Sequence, residues 1–200
     1  MSESPREVSD VEIRDEDWYA EELGAAVFRH VTFRDVDFTE ASSRGATFAD
    51  CTFELCRLNA SVHVDSQFTG CEFRRCNLFD ATLSGCKLTG TVFAECTLKP
   101  ITVSGGVWRA VSLRGANLDG LDLSGLDLRD ADLSMASLVG TVLRDVRLDG
   151  ATVREADLTR ADLRGATMGG VDLGDAVMRE TLVDLAGAIL LAELRGAVVD

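Results

Sequence analysis

A period of five residues runs without a slip from Phe28 to Met178, and it limits what this chain can fold into more than any other feature. Between Ala116 and Asp175 the chain reads ANLDG, LDLSG, LDLRD, ADLSM, ASLVG, TVLRD, VRLDG, ATVRE, ADLTR, ADLRG, ATMGG, VDLGD. Five is neither the 3.6 of a helix nor the 2 of a strand. A fixed period kept this long is the mark of a repeat architecture.

Taking Phe28 and every fifth residue after it as a centre gives 31 positions, of which 29 are apolar; Ser43 and His63 are the exceptions. The residue two before each centre is Ala 12 times, Cys six times and Val five times. None of these 62 residues is charged, although 27% of the chain is, so two positions in five face inward and three outward. A flat strand would alternate and a helix would drift out of register. A coil with short straight sides and a corner every five residues fits, and Gly at 12 of the 31 positions two after a centre suits a corner that needs backbone freedom.

The segments ADLTR, ADLRG and ANLDG closely match A(D/N)LXX, and in this the chain resembles the pentapeptide-repeat proteins. The resemblance implies an all-β solenoid, a right-handed quadrilateral β-helix with four repeats per coil. Residues 20 apart then stack, and eight to nine coils at ~4.8 Å each give a rod roughly 40 Å long. The core expected from the pattern includes Phe28, Phe33, Phe48 and Phe53 in the first half and Leu118, Leu123, Leu128 and Leu133 in the second.

Three parts follow along the chain. Residues 1–12 read as a polar lead-in and residues 13–183 as the β-helix, with 13–24 an irregular first coil or N-terminal cap. Residues 184–200 leave the register with DLAGAILLAELRG. There Asp184 is placed to N-cap a helix carrying Leu185, Ile189, Leu190 and Leu194, and Gly196 to end it. That helix is more apolar than one rod end requires. It is read either as a cap alone or as a cap that also joins two chains.

The formal charge of −14 disfavours direct nucleic-acid contact, which needs clustered Lys and Arg. The first residues are acidic and lack the apolar core of a signal peptide, and no apolar run is long enough to span a membrane, so a cytoplasmic protein with reduced thiols is expected. All six cysteines, Cys51, Cys56, Cys71, Cys76, Cys86 and Cys96, fall at the small inward position. A linear column standing in for Ala does not converge as zinc ligands do, so they are read as core. His63 stacks on Ser43 one coil away. No inward carboxylate could orient a catalytic imidazole, so the pair is read as structural. No nucleophile, metal or phosphate-loop motif is present. Neither an enzyme nor a cofactor is expected.

Lys99-Pro100-Ile101 puts the internal proline at a corner, where a small bend or dent is expected. Exposed Phe79 is the best single apolar anchor for a partner. The outward acids concentrate at Asp119, Asp122, Asp127, Asp130 and Asp132, and along one side with Glu155, Asp172 and Asp175. These eight residues form the candidate partner-binding surface.

Further features sharpen the resemblance: the RDEDW opening, CTLKP followed by an apolar centre, and the terminal helix. They are similar to the fluoroquinolone-resistance branch of the family, which has mycobacterial and plasmid-borne members. That resemblance implies a rod shaped like B-DNA, a DNA gyrase or topoisomerase IV partner, protection from quinolone-like poisons, and a homodimer through the terminal helix. A general interaction rod with an unrelated partner is the alternative.

Overall fold

The structure is a computed structural model and describes residues 6–199. Parallel partners lie 20 residues apart throughout, which makes the chain a right-handed, four-sided parallel β-helix of about nine coils between Glu7 and Leu182. The four faces can be numbered by the first centre on each. Face 1 holds Val8 and Phe28, face 2 Ile13 and Phe33, face 3 Trp18 and Phe38, and face 4 Leu23, Ser43 and His63.

Faces 1, 2 and 4 carry strands of three or four residues in the N-terminal half. Face 1 stacks Glu7–Ser9, Val27–Arg29, Thr47–Ala49 and Gln67–Thr69, and face 2 runs from Glu12–Arg14 to Val92–Ala94. Face 4 runs from Glu22–Gly24 to Ile101–Ser104. Face 3, and every face beyond Ser104, is held by single bridging residues instead. The bonding is the same in both cases. Phe38 N donates to Arg57 O at 2.7 Å, Arg57 N to Val36 O at 3.1 Å and Glu40 N to Asn59 O at 2.9 Å.

The pairing starts at Glu7, earlier than the boundary at residue 13 expected from the sequence. Val8 aligns with Phe28 in the inward column, and Glu7 and Ser9 project outward, so their polarity does not oppose pairing. The remainder of the expected lead-in, residues 1–5, lies outside the described residues. Trp18 is a buried member of the face 3 column, 5.1 Å edge-on to Phe38, and Arg6 places its guanidinium 4.6 Å from the Trp18 ring centroid. This cation–π contact closes the N-terminal end of the core, and nothing in the periodicity announced it.

The interior follows the inward pattern. Phe28, Phe33, Phe48, Phe53, Leu118, Leu123, Leu128 and Leu133 are all buried. Phe28, Phe48 and Phe68 stack at 5.0 and 4.7 Å, and Phe33, Phe53, Phe73 and Phe93 at 4.8, 4.4 and 4.9 Å. Those spacings match the separation of paired strands, so each ring packs on its counterpart one coil away.

Most corner residues take a left-handed backbone, with or without a side chain. Twenty non-glycine residues have φ between 50 and 62°, and eight of them are Asp. Glycine is therefore one solution among several, and Asp, which tolerates this conformation, is another.

Corners come in two kinds. Where a face is a single bridge, the N–H three after the centre donates back to the centre's carbonyl, as Ser61 N does to Leu58 O at 3.2 Å. At seven strand-type corners a side chain one coil on supplies the donor. Cys56 Sγ reaches Phe33 O at 3.4 Å, Cys76 Sγ reaches Phe53 O at 3.3 Å and Cys86 Sγ reaches His63 O at 3.3 Å. Cys51, Cys71 and Cys96 do the same for Phe28, Phe48 and Phe73, and the Thr91 hydroxyl does so for Phe68. The cysteines thus pack in the core and also complete the backbone bonding.

At Asp184 the chain turns into the helix Leu185–Leu194. Asp184 Oδ1 accepts Gly187 N at 2.9 Å while Oδ2 accepts Gly165 N at 2.9 Å, tying the helix start to the last coil. Gly196 follows at φ 83°, where the helix ends.

Candidate interaction surface

Four of the eight nominated acids are the Asp of the A(D/N)LXX motif, and the fold gives that position a local task. The Asp or Asn before each centre turns its Oδ1 toward the N–H two residues on. Asp122 accepts Ser124 N at 3.0 Å, Asp127 accepts Arg129 N at 3.3 Å, Asp132 accepts Ser134 N at 2.9 Å and Asp172 accepts Gly174 N at 2.8 Å. Asp17, Asp37, Asn77, Asn117, Asp157 and Asp162 repeat the bond on other coils. An asparagine serves as well as an aspartate, so the position answers to the turn before it answers to any partner.

Asp127 is the least available of the set. It is 7% exposed, and Arg129 grips it with Nε at 2.8 Å and Nη2 at 2.6 Å. That hydrogen bond holds its carboxyl below the ordinary carboxylate range. Asp130 pairs with Arg109 at 3.1 Å, and Asp119 accepts Ser137 Oγ at 2.5 Å and Val139 N at 3.0 Å. Glu155 lies 3.9 Å from Arg154, while Asp175 is exposed at the end of face 2.

The run from Asp119 to Asp132 does not form one patch. It spans less than one coil, so Asp119 faces out on face 3, Asp122 on face 4, Asp127 and Asp130 on face 1, and Asp132 on face 2. Adjacency along the chain here means going round the rod; adjacency in space needs a spacing of 20.

Counting charges face by face gives a different surface. Face 1 carries six acids and six Lys or Arg and is neutral. Face 2 carries ten acids against six bases, face 3 eight against four and face 4 seven against three, an excess of four acids on each. The three acidic faces are contiguous and leave one neutral strip. On face 2, Glu54 is held by Arg34 and Arg75, both at 2.8 Å, which leaves Asp15, Asp35, Glu95 and Asp175 as the more open carboxylates of that face. Phe79 is 48% exposed on face 3, three coils along that face from exposed Tyr19.

The helix Leu185–Leu194 is apolar all round but for exposed Glu193. One side meets the rod end: Gly187 is buried against Val183 and Met168, and Leu190 and Leu191 pack on the core. The other side leaves Leu185 77% and Leu194 42% exposed, and Leu182, three residues before the helix, is exposed as well. Ile189 is half-buried.

Ser43, His63 and Ser66 form a chain of buried hydrogen bonds, with Ser43 Oγ 2.7 Å from His63 Nδ1 and 2.9 Å from Ser66 Oγ. It is sealed from solvent. Among the described residues no group of three or more His, Cys, Asp or Glu is placed to hold a metal ion, and no helix is long and apolar enough to cross a membrane.

Comparison with known proteins agrees with this architecture. A model of the pentapeptide-repeat family matches eight repeat copies, over residues 65–94, 109–145 and 142–179. Full-length QnrB1, a plasmid-mediated fluoroquinolone resistance protein, superposes with a TM-score of 0.57 at 18% identity, over 96% of this chain and 100% of QnrB1. A trypsin-treated QnrB1 variant gives 0.56 at 18% identity, over 97% and 100%. No curated protein matches the chain by sequence.

Proposed function

The chain belongs to the pentapeptide-repeat family, and from that premise we propose that it is a non-enzymatic rod that binds DNA gyrase or a related type II topoisomerase in place of DNA. On this reading binding alters the enzyme's activity or protects it from quinolone-like inhibitors. The observation that carries the proposal is the end-to-end likeness to QnrB1, whose own designation is fluoroquinolone resistance, combined with an acid excess spread over three contiguous faces.

Shape contributes more to this reading than charge density does. A ~40 Å length of B-DNA carries about 24 phosphates. Residues 25–180 hold 22 acids and 17 bases, a net charge of −5. The rod would therefore imitate a duplex in section and length and engage a basic groove through local carboxylates. The same modest charge supports a second reading, a general interaction rod with an unrelated partner.

The acids nominated from the sequence have unequal parts in this proposal. Asp122, Asp132, Asp172, Asp175, Glu155 and Asp119 remain on the acidic faces, whereas Asp127 and Asp130 are paired on the neutral one. The apolar outer side of the terminal helix, with Leu185 and Leu194, is proposed to bury itself against a second copy. A helix apolar on nearly every side is stable in water only when nearly every side is covered.

The deciding experiment is a gyrase supercoiling and drug-cleavage assay with and without the protein. Direct, salt-sensitive binding and a changed response to a fluoroquinolone are expected. Charge reversal at Asp35, Glu95 and Asp175 should weaken binding by about tenfold or more, as loss of steering and contact charges would. Wild-type protein that neither binds gyrase nor changes supercoiling would leave the scaffold reading.

A further inference from the structure

The ladder joining successive coils fails at a mid-rod level on two of the four faces, and a second, single-face gap lies on face 2 near the C-terminal end, where Thr152 and Asp172 are unpaired among the described residues. On face 3 the bridging partners run Asp17, Asp37, Arg57, Asn77, Thr97 and resume at Asn117, Ser137, Asp157. On face 4, Ile101–Ser104 pairs with Ala81–Ser84 on one side, and Asp122 pairs with Val142 on the other. Among the described residues neither Thr97 with Asn117 nor Thr102 with Asp122 is paired. The other two faces are closed at this level: Trp108 N donates to Asp127 O at 2.8 Å, Phe93 N to Ser112 O at 3.0 Å and Ser112 N to Thr91 O at 2.8 Å.

By the repeat's own pattern, the N–H groups of Leu98, Val103 and Gly105 should reach the next coil, and those of Asn117 and Asp122 should reach back. None has a backbone partner across the seam among the described residues, and Pro100 has no N–H to offer. Ile101 and Val103, at positions that are mostly buried elsewhere, are half-exposed here. Leu98 on one lip and Leu118, Leu121 and Leu123 on the other stay buried. No ion pair spans the seam among the described residues.

We propose that this one-sided break is a hinge. The coils before Gly105 and those after Ala116 form two stiff blocks, joined along faces 1 and 2 and free to open and close along faces 3 and 4. Opening breaks no ladder bonds on the seam because none is formed there, and the intact bonds opposite keep the blocks in register. A rod with such a joint can change its curvature to follow a partner that is not straight. The hinge does not depend on which partner that is, so it stands or falls separately from the topoisomerase reading.

Two measurements test it. In the unmodified protein, amide exchange at Leu98, Val103, Asn117 and Asp122 should be faster than at Phe93, Trp108 and Ser112 by ~100-fold or more, since local opening sets exchange at unpaired levels. In a Cys96→Ala background, spin labels at Thr39→Cys and Thr159→Cys on face 3 should give a broad distance distribution. Labels at Arg29→Cys and Arg147→Cys on the opposite face should give a narrow one. Equal protection of the two sets of amides, or equally narrow distributions on the two faces, overturns the proposal.

Discussion

The Cys51 thiol donates to the carbonyl oxygen of Phe28, 3.5 Å away and one coil back. The remaining five cysteines repeat that relationship, each over a centre at a strand-type corner, where no backbone N–H turns back to the carbonyl. Cysteine fits here because it is small enough for the inward column and still carries a donor. Burial, the largest influence at Cys86, raises that thiol to about 11, which keeps it protonated and able to donate.

Replacement of Cys76 should separate the two contributions. Cys76→Val keeps an apolar filling but leaves Phe53 O without its donor. Cys76→Thr offers a hydroxyl, as Thr91 does over Phe68. Urea unfolding is expected to find the Thr variant more stable than the Val variant by about 1 kcal/mol. The reverse order would mean that packing alone decides the position.

His63 makes stability depend on pH. Burial lowers its pKa from 6.5 to about 4 in the folded chain, and its Nε2 has no hydrogen-bond partner. The unfolded chain therefore takes up a proton below pH 6.5 that the folded chain refuses. The stability is complete above 6.5 and declines toward pH 4, by ~3 kcal/mol over the whole window. His63→Leu, matching Leu83 on the next coil, should flatten the decline between pH 6.5 and 5 in equilibrium unfolding. An unchanged slope in that variant would assign the effect elsewhere.

Two glycines with the same sign of φ should differ sharply. Gly106 has φ 112°, and a Cβ there would lie 2.3 Å from Cys86 O; Gly115 has φ 67° with nothing within 4 Å. Gly115→Ala should cost about 1 kcal/mol, the backbone penalty alone. Gly106→Ala must also displace main chain and should cost several times that, read as a lower denaturation midpoint. Equal losses would contradict the close approach at Gly106.

The terminal helix offers a test of assembly. Leu185→Glu with Leu194→Glu places charge on the exposed side and leaves Gly187, Leu190 and Leu191 against the rod. Sedimentation should show the wild-type chain as a dimer and the variant as a monomer, with the β-sheet circular dichroism retained. A wild-type monomer would make the helix a cap only.

The sequence was most readable where one residue type answers to one physical demand. Inward centres from Phe28 onward, the Asp184 cap and the Ser43–His63 pair could all be read without coordinates, because burial and capping select residue types at fixed spacing. Arg6 over Trp18 was not readable, since a single arginine at the start of the first coil carries no periodic signal. Nor was the first strand at Glu7, whose outward acids resemble a solvated lead-in until Val8 is aligned with Phe28.

The acidic run that stood out along the chain shows the same division. A five-residue period determines by itself that two positions are buried and three exposed, and so it determined the fold and its Leu and Phe columns. Grouping exposed residues by side needed the four-repeat coil that the family resemblance supplies, because neighbours on a face are 20 residues apart while neighbours in sequence turn a corner. Only the tertiary structure committed Asp122, Asp127 and Asp132 to their own turns and opened the ladder between Thr102 and Asp122. Those outcomes depend on hydrogen bonds within the turns and between coils, and a pattern of inward and outward residues does not record them.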